Sequence, residues 1–154
     1  MRPFRSLALL LTGAFAGFMG AAAIAKRALP SRGDAESDEV SLTAIFDGVQ
    51  LESRAQAFRG GSMFAWFGGI EVDLREATLA DEAHLTVHTL FGGVAIRVPP
   101  GWRIESSLNA VAGGVDVSVP EPDEGAPTLK LEGFALCGGV AVGAKADAAV
   151  FANA

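Results

Sequence analysis

A short motif that recurs five times constrains the fold of this 154-residue chain more than any other feature. Each copy has a two-residue turn that ends in glycine, followed by a run in which apolar residues alternate with polar or small ones. The copies begin at residues 46, 67, 91, 112 and 137, so successive starts lie 21, 24, 21 and 25 residues apart. The turn positions are Asp47, Gly48, Gly68, Gly69, Gly92, Gly93, Gly113, Gly114, Gly138 and Gly139. A repeat of this period predicts stacked units, because one unit cannot bury its apolar face alone.

The runs that follow the turns predict strands with one fixed buried face. An apolar period of two with many β-branched residues is typical of a half-buried strand. The phase of the alternation is the same after every glycine, and a slip of one residue would turn each inward side chain outward. The predicted inward residues are Ile70, Val72, Leu74, Val94, Ile96, Val98, Val115, Val117, Val119, Val140 and Val142.

The segments before the turns also alternate, as at residues 85–87, 102–104 and 129–131. We therefore predict an all-β fold over residues 40–154, a β-roll or solenoid-like stack of strand–Gly-Gly–strand units. Glycine suits such corners because it tolerates positive φ, and because stacked corners would crowd a side chain. A sandwich of ordinary hairpins stays open as an alternative, since Gly-Gly is also a hairpin turn. Pro120–Pro127 is predicted to be a surface loop, and Ala146–Ala154 is expected to cover an open edge.

The N-terminal part of the chain predicts a membrane segment. Leu7–Ala25 contains no charged residue and is flanked by basic residues on both sides. A helix over this segment is about 28 Å long, close to the thickness of a bilayer core. We predict a single transmembrane helix that anchors residues 1–27, with a cleaved signal peptide as the alternative, which would make the protein secreted or periplasmic. Residues 28–39 are polar and contain Pro and Gly, so they are predicted to form a flexible linker.

The charge distribution excludes one class of function. Residues 1–33 carry five basic side chains and no acidic one, whereas the remainder carries all 18 acidic residues against seven basic ones, a net charge of −11. Binding to nucleic acid requires a basic face that displaces counterions from the phosphates. The acidic body therefore argues against a nucleic-acid partner.

No residue pattern predicts catalysis, a cofactor or a metal. Standard motifs of hydrolases, nucleotide-binding proteins and zinc enzymes are missing from the sequence. His84 and His88 are read as solvent-facing strand residues rather than metal ligands, because a metal site needs further ligands and a second shell, and the nearest acids in sequence are Asp81 and Glu82. Glu71 and Asp73 are read as part of a solvated face, with Asp73 near Arg97 if consecutive repeats stack. Cys137 occupies the position of Phe in three other units, so it is predicted to pack in the core.

One strand carries bulky residues at both alternating positions. Met63, Phe64, Ala65, Trp66 and Phe67 follow one another directly. Such a strand is either buried on both faces or exposes an aromatic patch to a partner. Burial of both faces is the favoured interpretation, and Phe64 and Trp66 are the candidate partner surface otherwise. Trp102, after Pro-Pro-Gly, is expected to close an end of the core.

The repeats, with the VPPGW element at residues 98–102, resemble the C-terminal domain of the LiaF-like, cell-wall-active-antibiotics response proteins of bacteria. The resemblance covers residues 42–145. It implies a β-roll or solenoid domain that acts by protein contact at the cell membrane in envelope-stress signalling, in some members by restraining a sensor histidine kinase. It implies no catalytic residues. Typical members have several membrane helices before this domain, whereas one is predicted here.

Two hypotheses of function follow. The first is a membrane-anchored, non-enzymatic interaction or regulatory module whose partner is a sensor kinase or another envelope protein. The second is a structural scaffold that associates with itself end to end through open strand edges, like the bactofilin polymers.

Overall fold

The computed structural model describes residues 31–144. The predicted anchor at residues 1–27 and the stretch Ala146–Ala154 lie outside the described residues. Eight strands pair in parallel within one sheet, and an isolated bridge between Arg32 and Ser41 is antiparallel. The strands are β1 (Glu39–Ile45), β2 (Gly48–Glu52), β3 (Phe58–Trp66), β4 (Gly69–Asp73), β5 (Leu79–Thr89), β6 (Gly93–Arg97), β7 (Arg103–Ser118) and β8 (Thr128–Gly143).

The strands wind into a β-solenoid of about four turns. In each of the first three units, the strand before the corner joins a first wall and the strand after it joins a second wall. The strands β1, β3 and β5 form the first wall and β2, β4 and β6 form the second, while β8 runs through its corner and pairs with both β5 and β6. We call each such level a rung. Parallel pairing confirms the predicted solenoid-like stack and excludes the hairpin sandwich, whose neighbouring strands would be antiparallel.

The glycine corners hold every rung in one register, as the sequence predicts. Gly48 pairs with Gly69, Gly69 with Gly93, Gly93 with Gly139, and Gly139 with Gly114. Each following inward residue therefore lies directly over its equivalent, as in the pair Val72 and Ile96. Stacked inward residues of this kind form the core.

The predicted inward residues of the inner rungs are buried. Ile70, Val72, Leu74, Val94, Ile96, Val98, Val140 and Val142 are at most 1% exposed. Trp102 belongs to the same hydrophobic core as the first-wall residues Leu85, Leu129 and Leu131. The prediction fails for the fourth unit, where Val115 and Val119 are only partly buried and Val117 is 37% exposed.

The failure has a topological cause, because the last two units stack out of sequence order. Stacking is consecutive for the first three units, but β8 then lies on β5 and β6, and β7 lies outside β8. The inward position of β7 opposite Leu131 is Ser106, so β8 is the more apolar of the two strands. The more apolar strand takes the inner place, where rungs on both sides exclude water from it.

The structure supports one of the two reasons given for the glycines. A Cβ on Gly92 would lie 1.9 Å from the carbonyl oxygen of Gly68, and a Cβ on Gly138 would lie 1.9 Å from that of Gly92. Crowding between stacked corners is therefore the reason for glycine at these first turn positions. Among the corner residues, the expected positive φ occurs at only one glycine, Gly113 at 157°, and at the preceding Phe46 and Phe67, at 54° and 56°.

Two connecting segments matter for the ends of the stack. Residues 31–38, within the predicted linker 28–39, form backbone hydrogen bonds to residues 41, 54 and 59 of the domain. Residues 119–127 connect β7 back to β8 and contain no strand, in agreement with the predicted loop at Pro120–Pro127.

Candidate interaction surface

The outward side of the first wall carries two neighbouring rows of apolar and aromatic side chains. Register places Phe64 beside His88 and His88 beside Phe134 in one row. Trp66 holds the next outward position along β3. Backbone hydrogen bonds from Leu90 N to Ala65 O and from Cys137 N to Leu90 O continue the parallel pairing at this level, so that Trp66, Leu90 and Leu136 form the second row. We call this surface the aromatic face; its residues are Phe64, Trp66, His88, Leu90, Val111, Phe134 and Leu136.

Part of the aromatic face is open to solvent within the described residues. Phe134 is 40% exposed, Leu136 36% and Val111 74%. The His88 and Phe134 rings pack against each other with centroids 4.7 Å apart. A contiguous exposed apolar patch on a monomeric domain is a recognised sign of a contact site, in contrast to scattered single residues.

Phe64 and Trp66 lie on this face, and their strand is not buried on both sides. Met63 and Ala65 point into the core, whereas Phe64 and Trp66 are half-buried on the opposite side. The favoured prediction of burial on both faces is therefore wrong. The outward residues of β3 keep part of their surface because the described chain forms a single layer over the core at this wall. Their role as a partner surface stays a prediction.

A column of phenylalanines continues the aromatic face at the corners. The rings of Phe46 and Phe67 stack with centroids 5.1 Å apart, and those of Phe67 and Phe91 stack at 4.6 Å. Offset stacking at such distances stabilises a pair by about 0.5–1.5 kcal/mol beyond burial. The column ends at the next two rungs, where Cys137 and Ala112 take the same position.

The small residues at the end of the column leave an apolar groove of about 590 Å³. Phe91, Ala112 and Cys137 line it together with the glycine corners of four rungs. Cys137 is exposed, so the prediction that it packs in the core is wrong. The side chain at this corner position points away from the core. Phe occupies the position in three other units, and because large apolar side chains are usually buried, the sequence wrongly indicated a core position.

The outward side of the second wall is polar. Arg97 forms an ion pair with Glu71 at 2.5 Å, and Gln50 donates a hydrogen bond to the same carboxylate at 3.3 Å. Asp73 lies beside Arg97 in register, as expected for consecutive stacking, but its ion pair is with Arg75. The hydrogen bond from Arg75 holds the pKa of Asp73 below its usual value, against a smaller opposing effect of burial. The predicted outward position of these residues is confirmed, but the side chains of Glu71, Asp73 and Arg97 are only 24%, 14% and 23% exposed, so the face is charge-paired and only partly solvated.

Both histidines point outward from β5. His84 is exposed and lies 3.8 Å from Glu132 and 4.0 Å from Glu82. A hydrogen bond and the positive charge of Lys130 lower the pKa of Glu82. Within residues 31–144, no cluster of three or more His, Cys, Asp or Glu side chains has the geometry to hold a metal ion. His88 belongs to the aromatic face instead, where it packs against Phe134.

No helix long and apolar enough to cross a bilayer occurs among residues 31–144. The predicted segment Leu7–Ala25 lies outside them.

Comparison with known proteins gives relatives without a described activity. The chain is 30% identical over 103 residues to an uncharacterized protein of Mycobacterium tuberculosis strain CDC 1551, and 29% identical over 103 residues to one of strain H37Rv. Each alignment covers 66% of this chain and 52% of the relative, so the chain spans about half the length of the curated relatives it matches. No family model matches the chain, and no solved structure matches it.

Proposed function

We propose that this chain is a membrane-anchored, non-enzymatic interaction or regulatory module, and that its aromatic face contacts a protein partner of the cell envelope. The observation that carries the proposal is the exposed apolar surface of Phe134, Leu136 and Val111 on three adjoining strand positions. Large apolar side chains on a rigid sheet give much contact area at a low cost in conformational entropy. The anchor would raise the local concentration of this face near other membrane proteins.

The resemblance to LiaF-like proteins supports a role in the envelope-stress response, with a sensor kinase as the partner of first choice. That resemblance rests on the repeated Phe-Gly-Gly strand and on the VPPGW element. In the structure the glycine corners set the stack, and Trp102 belongs to the core. The motif residues therefore have structural roles, and the partner contact is assigned to other residues, those of the aromatic face.

The test uses the full chain in its native membrane, with a photo-crosslinking amino acid at Phe134. A matched position is Gln50, which is exposed on the second wall, away from the aromatic face. We expect Phe134 to give an adduct with a sensor kinase or another envelope protein, and Gln50 to give none. Adducts common to both positions would contradict the proposal.

A variant separates a specific contact from a chance neighbour. Leu136→Ser removes apolar surface without opening the core, because Leu136 points outward and is 36% exposed. It should reduce the Phe134 adduct severalfold and change the output of an envelope-stress reporter, while the melting temperature stays within about 2 °C. An unchanged reporter would remove the regulatory role.

The second candidate function is a self-associating scaffold like the bactofilins. The observation that favours it is β7, a 16-residue strand at the end of the stack whose residues are mostly exposed. Electron microscopy of the full chain in detergent distinguishes the two candidates, because filaments would support the scaffold and discrete particles would support the module.

A further inference from the structure

The two ends of the solenoid differ in how their edges are covered. At the first rung, Arg32 bridges to β1, with hydrogen bonds from Arg32 N to Ser41 O at 2.6 Å and from Ser41 N to Arg32 O at 2.8 Å, and residues 35 and 38 accept hydrogen bonds from residues 54 and 59. The Ser31 hydroxyl also accepts a hydrogen bond from Thr43 N at 2.9 Å. This covering segment, residues 31–38, is also rich in charged residues. A covering segment and charged side chains are both known to prevent the edge of a sheet from pairing with another strand.

The last rung has no comparable cover among residues 31–144. There, β8 is the only strand that pairs with β7, so a second edge of 16 residues presents backbone donors and acceptors outward. The inward residues Ile104 and Leu108 are only partly buried, whereas Leu129 in the rung beneath is fully buried. The core is therefore open at this end.

We propose that β7 pairs with β7 of a second copy of this chain across a two-fold axis, which makes the protein a closed dimer. Each β7 bends at its glycine corner, and two bent strands can pair on both sides of the corner only if the bends coincide. A two-fold axis through the bends places the arm before the corner of one copy beside the arm after the corner of the other, in antiparallel pairing.

The bent pairing keeps the two cores continuous. It places Leu108 and Ala110 of one copy beside Val117 and Val115 of the other, and all four point toward the interior side of their rung. The inward side chains that β7 leaves partly exposed would then be covered by inward side chains of the other copy. Burying apolar surface in this way favours association by about 25 cal/mol per Å².

Charge also favours a second copy as the occupant. Arg103 is exposed at the start of β7, and Glu121, Asp123 and Glu124 follow its end. The two-fold arrangement brings Arg103 of each copy toward the acidic loop of the other. Residues 107–118 of the two strands face each other over roughly 40 Å, and at about 10 Å in depth the two copies bury on the order of 800 Å², the size of a small interface.

The partial cover of the first rung opposes growth beyond two copies. Head-to-tail growth would require β7 to stack on the end formed by β1 and β2, where Ser31 and Arg32 already bond to β1, although β2 pairs only with β4 among the described residues. An interface that uses the same open end on both copies leaves no further edge of that kind to extend. This inference does not depend on the partner of the aromatic face.

Cysteine crosslinking in the full chain tests both the interface and its symmetry. The background is Cys137→Ala, since the equivalent corner residue in β7 is already alanine. Cells that co-express Asn109→Cys and Asp116→Cys chains should give a crosslinked dimer, because both residues point outward and lie opposite each other in the two-fold pairing. Co-expressed Asp116→Cys and Gln50→Cys chains should give none, although their rung positions would meet in head-to-tail stacking.

Each outcome decides the question. A dimer from the first pair alone supports the proposal; a product from the second pair, or a ladder of higher multimers, indicates head-to-tail stacking and overturns it. Absence of any product also overturns it, with β7 then covered within one chain or not at all. The mass of the unsubstituted full chain in detergent, by light scattering, gives an independent readout: two copies are expected, and one copy contradicts the proposal. Val117→Asp should shift that mass toward one copy, and Gln50→Asp should not.

Discussion

The inner and outer rungs of this solenoid carry nearly the same sequence pattern but bury it to very different extents. In the third rung Val94 and Ile96 are at most 1% exposed, whereas at the equivalent positions of β7 Val115 is partly buried and Val117 is 37% exposed. The glycine register is the same in both. The sequence pattern therefore determines whether a side chain points inward. The position of its rung in the stack determines how fully that side chain is buried, and so how much it contributes to stability.

The largest expected effect comes from a methyl group placed between two inner rungs. In Gly92→Ala the new Cβ would lie 1.9 Å from the carbonyl oxygen of Gly68, a distance that no flexible side chain can relieve because the obstacle is backbone. The second and third rungs must separate inside the stack, so we expect a loss of more than about 4 kcal/mol in the free energy of unfolding. Urea denaturation followed by circular dichroism measures it.

The outer rung supplies the matched substitution. In Gly113→Ala the Cβ would lie 1.7 Å from the carbonyl oxygen of Gly138, a clash of similar severity, but only β7 needs to lift away. We expect fast hydrogen exchange in β7 and a much smaller global loss. Gly114→Ala meets no atom within 4 Å and should leave stability unchanged. Equal global losses for Gly92→Ala and Gly113→Ala would show that the outer rung is as integral to the fold as the inner ones.

An intermediate effect is expected when valine is shortened to alanine at two positions that differ in burial. Val142→Ala removes two methyl groups from a fully enclosed site, and we expect a loss of about 2 kcal/mol from transfer and cavity terms. Val117→Ala removes the same groups from a side chain that is 37% exposed, so a loss below about 1 kcal/mol is expected in the isolated copy. Thermal unfolding of both variants checks the difference. A cost at Val117 that approaches that at Val142 would indicate that a second copy covers β7.

The sequence predicts the structural features that repeat in every rung, but it does not predict features that depend on the order in which the rungs stack. The glycine pairs and the valines after them predict the corners, the strand faces and the common register, because each is a local property. The exchange of β7 and β8 is not local: both have a Gly-Gly-Val corner, and the choice depends on how Ser106 compares with Leu131 once the two compete for an enclosed place. The pattern of Val115–Val119 therefore predicts burial that the structure does not give.

For a related reason, the sequence predicts only some of the residues of the aromatic face. Phe64 and Trp66 stand out as bulky residues on one strand, and they mark the face correctly. His88, Phe134 and Leu136 join them only through the pairing of strands before the corners, where the alternation is weaker and no glycine pair fixes the register. The isolated Phe134 in a run of alternating residues gives no signal until β5 is known to lie beside β8.

The smallest expected effect comes from substitutions on the outward side of an inner rung. They test whether the burial of a residue or the position of its rung determines its contribution to the free energy of unfolding. Asp73 precedes the buried Leu74, but it lies on the outward side, where its side chain is 14% exposed and accepts hydrogen bonds from Arg75. Since this contact lowers the pKa of the folded carboxyl, its stabilising effect is present above the unfolded pKa of about 3.9 and is lost as pH falls through the lower folded pKa. Arg75 is nearly half exposed, so the effect should stay below about 1 kcal/mol. Asp73→Asn should therefore flatten the acid side of the stability curve slightly, Arg75→Gln should do the same, and the double variant should add little to either. A loss in Asp73→Asn as large as that in Val142→Ala would mean that place in the stack, rather than burial, governs the energetics of the inner rungs.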